Sequence, residues 1–191
     1  MSARQATKAK MGRPAQISPD QIVTAALGTN LNTLTMRELA ARLGVTHGAL
    51  YHWVPNQEAL FDLISEVLVE RVLPPNPPQG RTWRPWLAQV AHAMHDQFLA
   101  VPGYATHIAR PHEHNHAAFG RIRAEVIGAF TNAGVSPDLA EQSWYIFATS
   151  VASWLATEEA PLHLGDSAPR FELFLDTLLR GLPAREPQHP A

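Results

Sequence analysis

The sequence predicts an all-α protein of about nine helices, an N-terminal three-helix helix-turn-helix unit followed by a larger helical domain. Three observations carry this. Apolar residues recur at helical spacing through most of the chain, with no convincing alternation of period two. Helix-start signatures stand at SPDQ (18–21) and TMRE (35–38), where a hydroxyl residue is followed three positions later by Gln or Glu. The run TMRELAARLGVTHGALYHWVPNQEAL, residues 35–60, is punctuated as two short helices, a tight turn at Gly44 and a longer helix entered through Pro55 and Asn56.

Taken in order, residues 1–16 lack apolar periodicity and contain Gly12 and Pro14, so they read as a flexible basic arm. A helix-turn-helix domain spans 17–73. Its first helix begins at Ser18, with Pro19 at the first helical position, buries Ile22, Val23, Ala26 and Leu27, and runs to about Asn30. The second opens at Thr35 and stops at Gly44, where a positive φ costs glycine little. The third is capped by Thr46 and reaches about His52. Leu39, Leu43, Val45, Leu50 and Trp53 are expected to face inward. Asn56 caps the connecting helix, on which Leu60, Phe61, Ile64, Leu68 and Val72 recur for some four turns.

Residues 74–82 are a Pro-rich linker, because the run LPPNPPQGR, residues 73–81, cannot continue a helix. A second domain spans 83–183, with helices at Trp83 to Ala100, Pro102 to Ala109, about His116 to Ala133, Ser136 to Glu159 and Phe171 to Leu182. Residues 184–191 form a tail.

Composition narrows the function. The chain has 191 residues, 46% of them hydrophobic, enough for a sizeable core, and no cysteine, which excludes disulfides and thiolate metal sites. No run of about 18 uncharged apolar residues marks a membrane span, and the polar, basic start is unlike a signal peptide, so a cytoplasmic protein is expected. The net charge of −2 hides an asymmetry: Met1 to Trp53 holds six Lys/Arg against two acids, whereas the remainder holds nine against fifteen. A basic head on an acidic body suits contact with phosphates at one end only.

The residues of the head carry a resemblance. GRP in the arm, SPDQIVTAAL, TMRELAARLGV and THGALYHWVPNQEAL, within residues 12–73, resemble the DNA-binding domain of the tetracycline-repressor (TetR) family. HIARP (107–111), SVASWLATEE (150–159) and FLDTLLRGL (174–182) are similar to the ligand domain of the family prototype. The resemblance implies a homodimeric repressor, joined by a four-helix bundle of the last two long helices, released from a palindromic double-stranded DNA operator by a small-molecule effector. It places His107 where the prototype has a magnesium-ligating histidine and Glu159 near an acid that approaches the same ion. A divalent metal accompanying the effector is therefore an expectation, with no cofactor otherwise required. Leu73 and Val90 stand where the prototype contacts tetracycline, so tetracycline is not the expected effector.

The chemistry of the residues agrees with DNA contact. A helix entering the major groove needs a capped first turn, small residues where the backbone approaches, and hydrogen-bonding groups elsewhere. Thr46, His47, Gly48, Tyr51 and His52 meet that description, and Thr35 and Arg37 would add phosphate contacts. Gln57 stands where many relatives have a phosphate-binding lysine, with Arg4, Lys8, Lys10 and Arg13 available to compensate. For the ligand site the candidates are Trp86, Met94, Phe98, Tyr104, His107, Phe119, Trp144 and Phe147, with Arg110 and Gln142 as orienting groups. Four of the ten histidines, His107, His112, His114 and His116, crowd one stretch; a solvated loop is expected for the last three. Two other readings stand beside the effector-responsive repressor: a DNA-binding regulator without an effector, and a metal-dependent enzyme using His107. Against the enzyme are the missing nucleophile motif and phosphate loop.

Overall fold

The computed structural model describes residues 17–78, 82–110, 116–162, 168 and 170–186. These form nine helices, with no strand among the described residues: α1 (Pro19–Ala26), α2 (Met36–Arg42), α3 (His47–Tyr51), α4 (Gln57–Val72), α5 (Trp83–Leu99), α6 (Tyr104–Ile108), α7 (His116–Asn132), α8 (Pro137–Glu159) and α9 (Phe171–Gly181). The arm with Arg4, Lys8, Lys10 and Arg13, together with His112, Glu113, His114 and the side chain of His116, lies outside the described residues.

The first four helices start where the caps require. Ser18 Oγ accepts from Gln21 N at 3.3 Å while Gln21 Oε1 accepts from Ser18 N at 2.9 Å. Thr35 and Glu38 exchange the same pair of bonds at 3.2 and 2.9 Å, and the Thr35 backbone N–H holds the Glu38 carboxyl below its usual pKa. Thr46 Oγ1 and Asn56 Oδ1 receive Ala49 N and Ala59 N at 3.2 and 2.8 Å. Caps of this kind stabilise a helix start by about 1 kcal/mol each. Helix α1 stops at Ala26, short of Asn30, because Leu27 turns extended and Gly28 takes φ +72°.

A continuous apolar core runs from the first three helices into the rest. Helix α4 joins the two halves. It packs on α1 through one face and on α5 and α7 through others, and Leu60, Ile64 and Leu68 are fully buried. Burying one such side chain contributes about 1.5–3 kcal/mol. The Pro-rich segment ends α4, and Trp86 Nε1 donates to Asn76 O at 3.1 Å, tying the connector to α5. At the far end the Arg84 guanidinium donates to Leu179 O and Leu182 O, satisfying carbonyls at the close of α9. Trp154 stacks on Phe174 at 4.4 Å between ring centroids and fixes α9 against α8.

Trp53 departs from its expected inward position. It is 46% exposed, while the neighbouring Val54 is fully buried. Helix α3 closes on Leu50, whose carbonyl accepts from Val54 N at 3.0 Å, so the residue four positions after Leu50 turns inward and Trp53 turns out. Leu43 and Val45 are only half-buried.

Candidate functional sites

The outer face of α3 is built from a short helix that has given its one large apolar residue, Leu50, to the core. Thr46, His47, Gly48, Tyr51 and His52 are all exposed, and the rings of His47 and Tyr51 lie 6.3 Å apart, one turn from each other. Thr35 and Arg37 are exposed at the start of α2. This surface therefore joins two capped helix starts, a guanidinium, two imidazoles and a phenol, all in contact with water. Exposed Trp53 adds an indole that sequence reasoning placed in the core. Gln57 is arranged differently from the expected phosphate contact, because its side-chain amide donates to the carbonyl of Leu31 and so ties the start of α4 to the α1–α2 connection.

A second feature is a cavity of about 300 Å³ between α4, α5, α6, α7 and α8. Met94, Phe98, Tyr104, Phe119 and Trp144 line it as expected, and Arg110 stands at its wall. The expected Trp86 and Phe147 do not line it: Trp86 anchors the connector, and Phe147 is packed in the core with no exposure. Nor do His107 and Gln142. The ring of His107 stacks on Phe61 of α4, with centroids 3.6 Å apart and planes 9° from parallel. Sequence reasoning missed Ser65 and Val69 on α4 and the strip Ala148, Thr149, Ala152 and Ser153 on α8. The strip has a helical signature, small residues at i, i+1, i+4 and i+5, but small residues do not announce a void.

Three further contacts connect the cavity to the exposed helices. Tyr104, fully buried on α6, lies 2.8 Å from Ser65 Oγ on α4, and burial pushes its phenol pKa up. The turn before α6 docks on the α1–α2 connection: Leu31 N donates to Pro102 O at 2.8 Å. That turn is held by Glu159 at the end of α8, whose carboxylate accepts from Gly103 N at 2.5 Å and Thr106 N at 2.8 Å, and from the Thr106 hydroxyl. Glu159 thus supplies the cap that Gly103, at the helix start, cannot. Since Leu31 also receives Gln57, a chain of hydrogen bonds runs from α8 through α6 and the Leu31 peptide to the start of α4.

Gly103 sits at φ +90°, and a Cβ there would meet Asn30 Oδ1 and Asn32 Nδ2 at 3.0 Å. Gly103→Ala is expected to cost about 1–2 kcal/mol from the left-handed backbone, read as a lower denaturation midpoint in urea at unchanged m; an unchanged midpoint refutes the tight docking of this turn.

The residues that the resemblance associates with a metal are engaged otherwise here. Both Glu159 oxygens are engaged by α6, the His107 ring lies flat on Phe61, and no group of three His, Asp or Glu gathers among the described residues. No described helix is long and apolar enough to cross a membrane.

No family model and no curated protein matches the sequence. Solved structures do match the fold. A possible TetR family transcriptional regulator from Streptomyces coelicolor A3(2) is similar at TM-score 0.70 and 24% identity, covering 86% of this chain and 98% of that one. A variant of TetR from Acinetobacter baumannii AYE in complex with minocycline is similar at TM-score 0.70 and 25% identity, over 89% of this chain and 100% of that one. BioQ with its double-stranded DNA operator is similar at TM-score 0.65 and 22% identity, over 89% and 100%. The chain has the fold of TetR-family transcriptional regulators, a helix-turn-helix unit carried on a helical ligand domain.

Proposed function

We propose that this protein is a cytoplasmic, DNA-binding transcriptional regulator that acts as a homodimeric repressor and leaves its operator when a small molecule fills the cavity. The observation that carries the reading is the outer face of α3, where five polar or small residues stand exposed on a helix too short to be stable without the core behind it. Support for the dimer comes from α8 and α9, where Tyr145, Ile146 and Leu173 leave large apolar side chains in water beside the small Ala148, Ser150 and Ala152. A two-fold pair would present two copies of α3 to the half-sites of a palindrome, about one helical turn apart.

The hydrogen-bonded chain from Glu159 to Gln57 gives the effector a route to the DNA face. A ligand shifts an equilibrium only by its differential affinity for the two states. One that moves α6 or α8 acts through Glu159, the Pro102–Gly103 turn and Leu31 on α4, which shares its core with α3. The cavity favours this reading over a regulator without an effector, since helical cores of this size are otherwise packed with few voids larger than a water molecule.

The test is a mobility-shift assay of the purified protein on DNA from upstream of its own gene and on duplexes selected from a random library. A salt-sensitive shift with a preferred palindromic sequence is expected. Absence of any sequence preference would falsify the regulator reading.

A further inference from the structure

We propose that His92 and His95 on α5 act as a proton-operated latch that holds the start of α9 against α5 and α8, so that α9 docks more firmly as pH falls. Its consequence for the dimer rests on the regulator reading, in which α9 forms part of the interface, whereas the latch itself lies within one chain.

The bonding of the two rings carries the inference. His92 Nδ1 lies 2.7 Å from Ala88 O, and its Nε2 lies 2.9 Å from Glu172 Oε1 on α9. A carbonyl and a carboxylate can only accept, whereas a neutral imidazole has a single N–H. Both contacts are therefore made only by the imidazolium. His95 repeats the arrangement: Nε2 lies 2.9 Å from Glu158 Oε2 on α8, and Nδ1 lies 3.3 Å from Asp96 Oδ1. The other Glu158 oxygen accepts from Trp154 Nε1 at 2.6 Å, and the Trp154 ring stacks on Phe174 of α9. The buried ring of Phe171, the first residue of α9, meets both imidazoles, with centroids 5.8 Å from His92 and 4.5 Å from His95. Loss of either proton leaves a nitrogen lone pair facing an acceptor at the place where α9 begins.

Only one end of α9 depends on this support. The start has no side-chain cap, so its open N–H groups gain nothing from a local hydroxyl or amide. The last turn is held by Arg84, and a guanidinium stays charged across physiological pH. The charges acting on His92 are those of Glu172 from α9 and Asp96 from α5. Among the described residues, α4, α6 and α7 place no titratable side chain in bonding contact with either ring. Partial burial works against the charged form of His92, but the bonds to Glu172 and Ala88 and the two negative charges outweigh it and raise its pKa above the ordinary 6.5. A histidine raised in this way stabilises the folded form fully below about 6.5, its unfolded value, and the contribution is lost as pH rises through the folded value. Docking therefore belongs to low pH and release to high pH.

The test is amide hydrogen exchange of the full-length protein, followed by NMR and corrected for intrinsic exchange rates, at constant ionic strength and with EDTA present. It is run at about pH 5.5 and about pH 8, on either side of the histidine value and above the carboxylate range. Phe171 to Leu175 are expected to lose about tenfold in protection at the higher pH, while Leu178 to Gly181 and the middle of α5 change by less than about twofold. A tenfold loss corresponds to about 1.4 kcal/mol, within what two partly exposed ion pairs supply together. The double variant His92→Gln, His95→Gln keeps one donor at each place that does not titrate, and should abolish the pH difference. Should it not fold, Glu172→Gln, at an exposed position, should remove about half of the difference on a logarithmic scale. Protection of α9 that is the same at both pH values, or that falls as steeply in the variants as in the parent, overturns the latch. Sedimentation of the same samples keeps the two readings apart. A dimer whose α9 protection ignores pH loses only the latch, and a monomer whose α9 protection follows the histidines upholds the latch and loses only the dimer.

Discussion

Glu159→Ala is expected to destabilise the protein by about 2–3 kcal/mol and to disconnect the cavity from the DNA face. The carboxylate accepts from two backbone N–H groups and one hydroxyl in a half-buried place. Charge-assisted bonds of this kind are worth about 1.5–3 kcal/mol each when counted singly. Water reaching the vacated position repays part of the loss, which is why the whole set is placed at the value of one bond rather than three. For a chain of this length the loss corresponds to a fall in Tm of about 4–12 °C. Glu159→Gln keeps an acceptor oxygen and the side-chain volume but not the charge, and should fall about midway. The two variants also separate stability from coupling. Below their melting temperatures both should bind operator DNA as the parent does, because neither touches α3. Effector release should need more ligand in Glu159→Ala, since α8 then moves without pulling on the Pro102–Gly103 turn that holds Leu31. A variant that melts with the parent, or releases DNA at the parent's effector concentration, refutes Glu159 as the pin.

How far the sequence reveals this molecule depends on the range of the interactions concerned. Ser18 with Gln21, Thr35 with Glu38, Thr46 and Asn56 are local signals, each completed within three residues, and each cap is where the pattern puts it. Trp53 misled because size and apolarity argue for burial, whereas the turn after α3 gives the inward place to Val54. In the ligand domain, the large side chains Phe98, Phe119 and Trp144 could be picked out, but which rings surround a void and which fill one depends on packing between helices. Phe147 and Trp86 were expected at the cavity and instead are packed or used as an anchor. Glu159 was read as a metal-side acid on a family likeness. Its partners lie 53 and 56 residues away, a separation at which no periodicity speaks.

The sharpest test of the exposed helices separates base-edge from phosphate contacts by their salt dependence. Arg37→Ala removes an exposed charge at the start of α2. If that guanidinium neutralises one phosphate per protomer, the slope of log affinity against log salt should become shallower by about one unit per protomer, with affinity reduced alike on all sequences. Tyr51→Ala and His47→Ala remove exposed groups from a face one turn wide, and neither substitution takes anything from the core. Each should weaken the preferred palindrome by about 1–3 kcal/mol per half-site, as loss of a specific contact does, while affinity for random duplex hardly changes. The Tyr51 hydroxyl is neutral, so its loss should leave the salt slope where it was. If Tyr51→Ala and His47→Ala fold normally and bind the palindrome as the parent does, α3 is not the reading helix. The helix-turn-helix reading of residues 35–60 then fails with it.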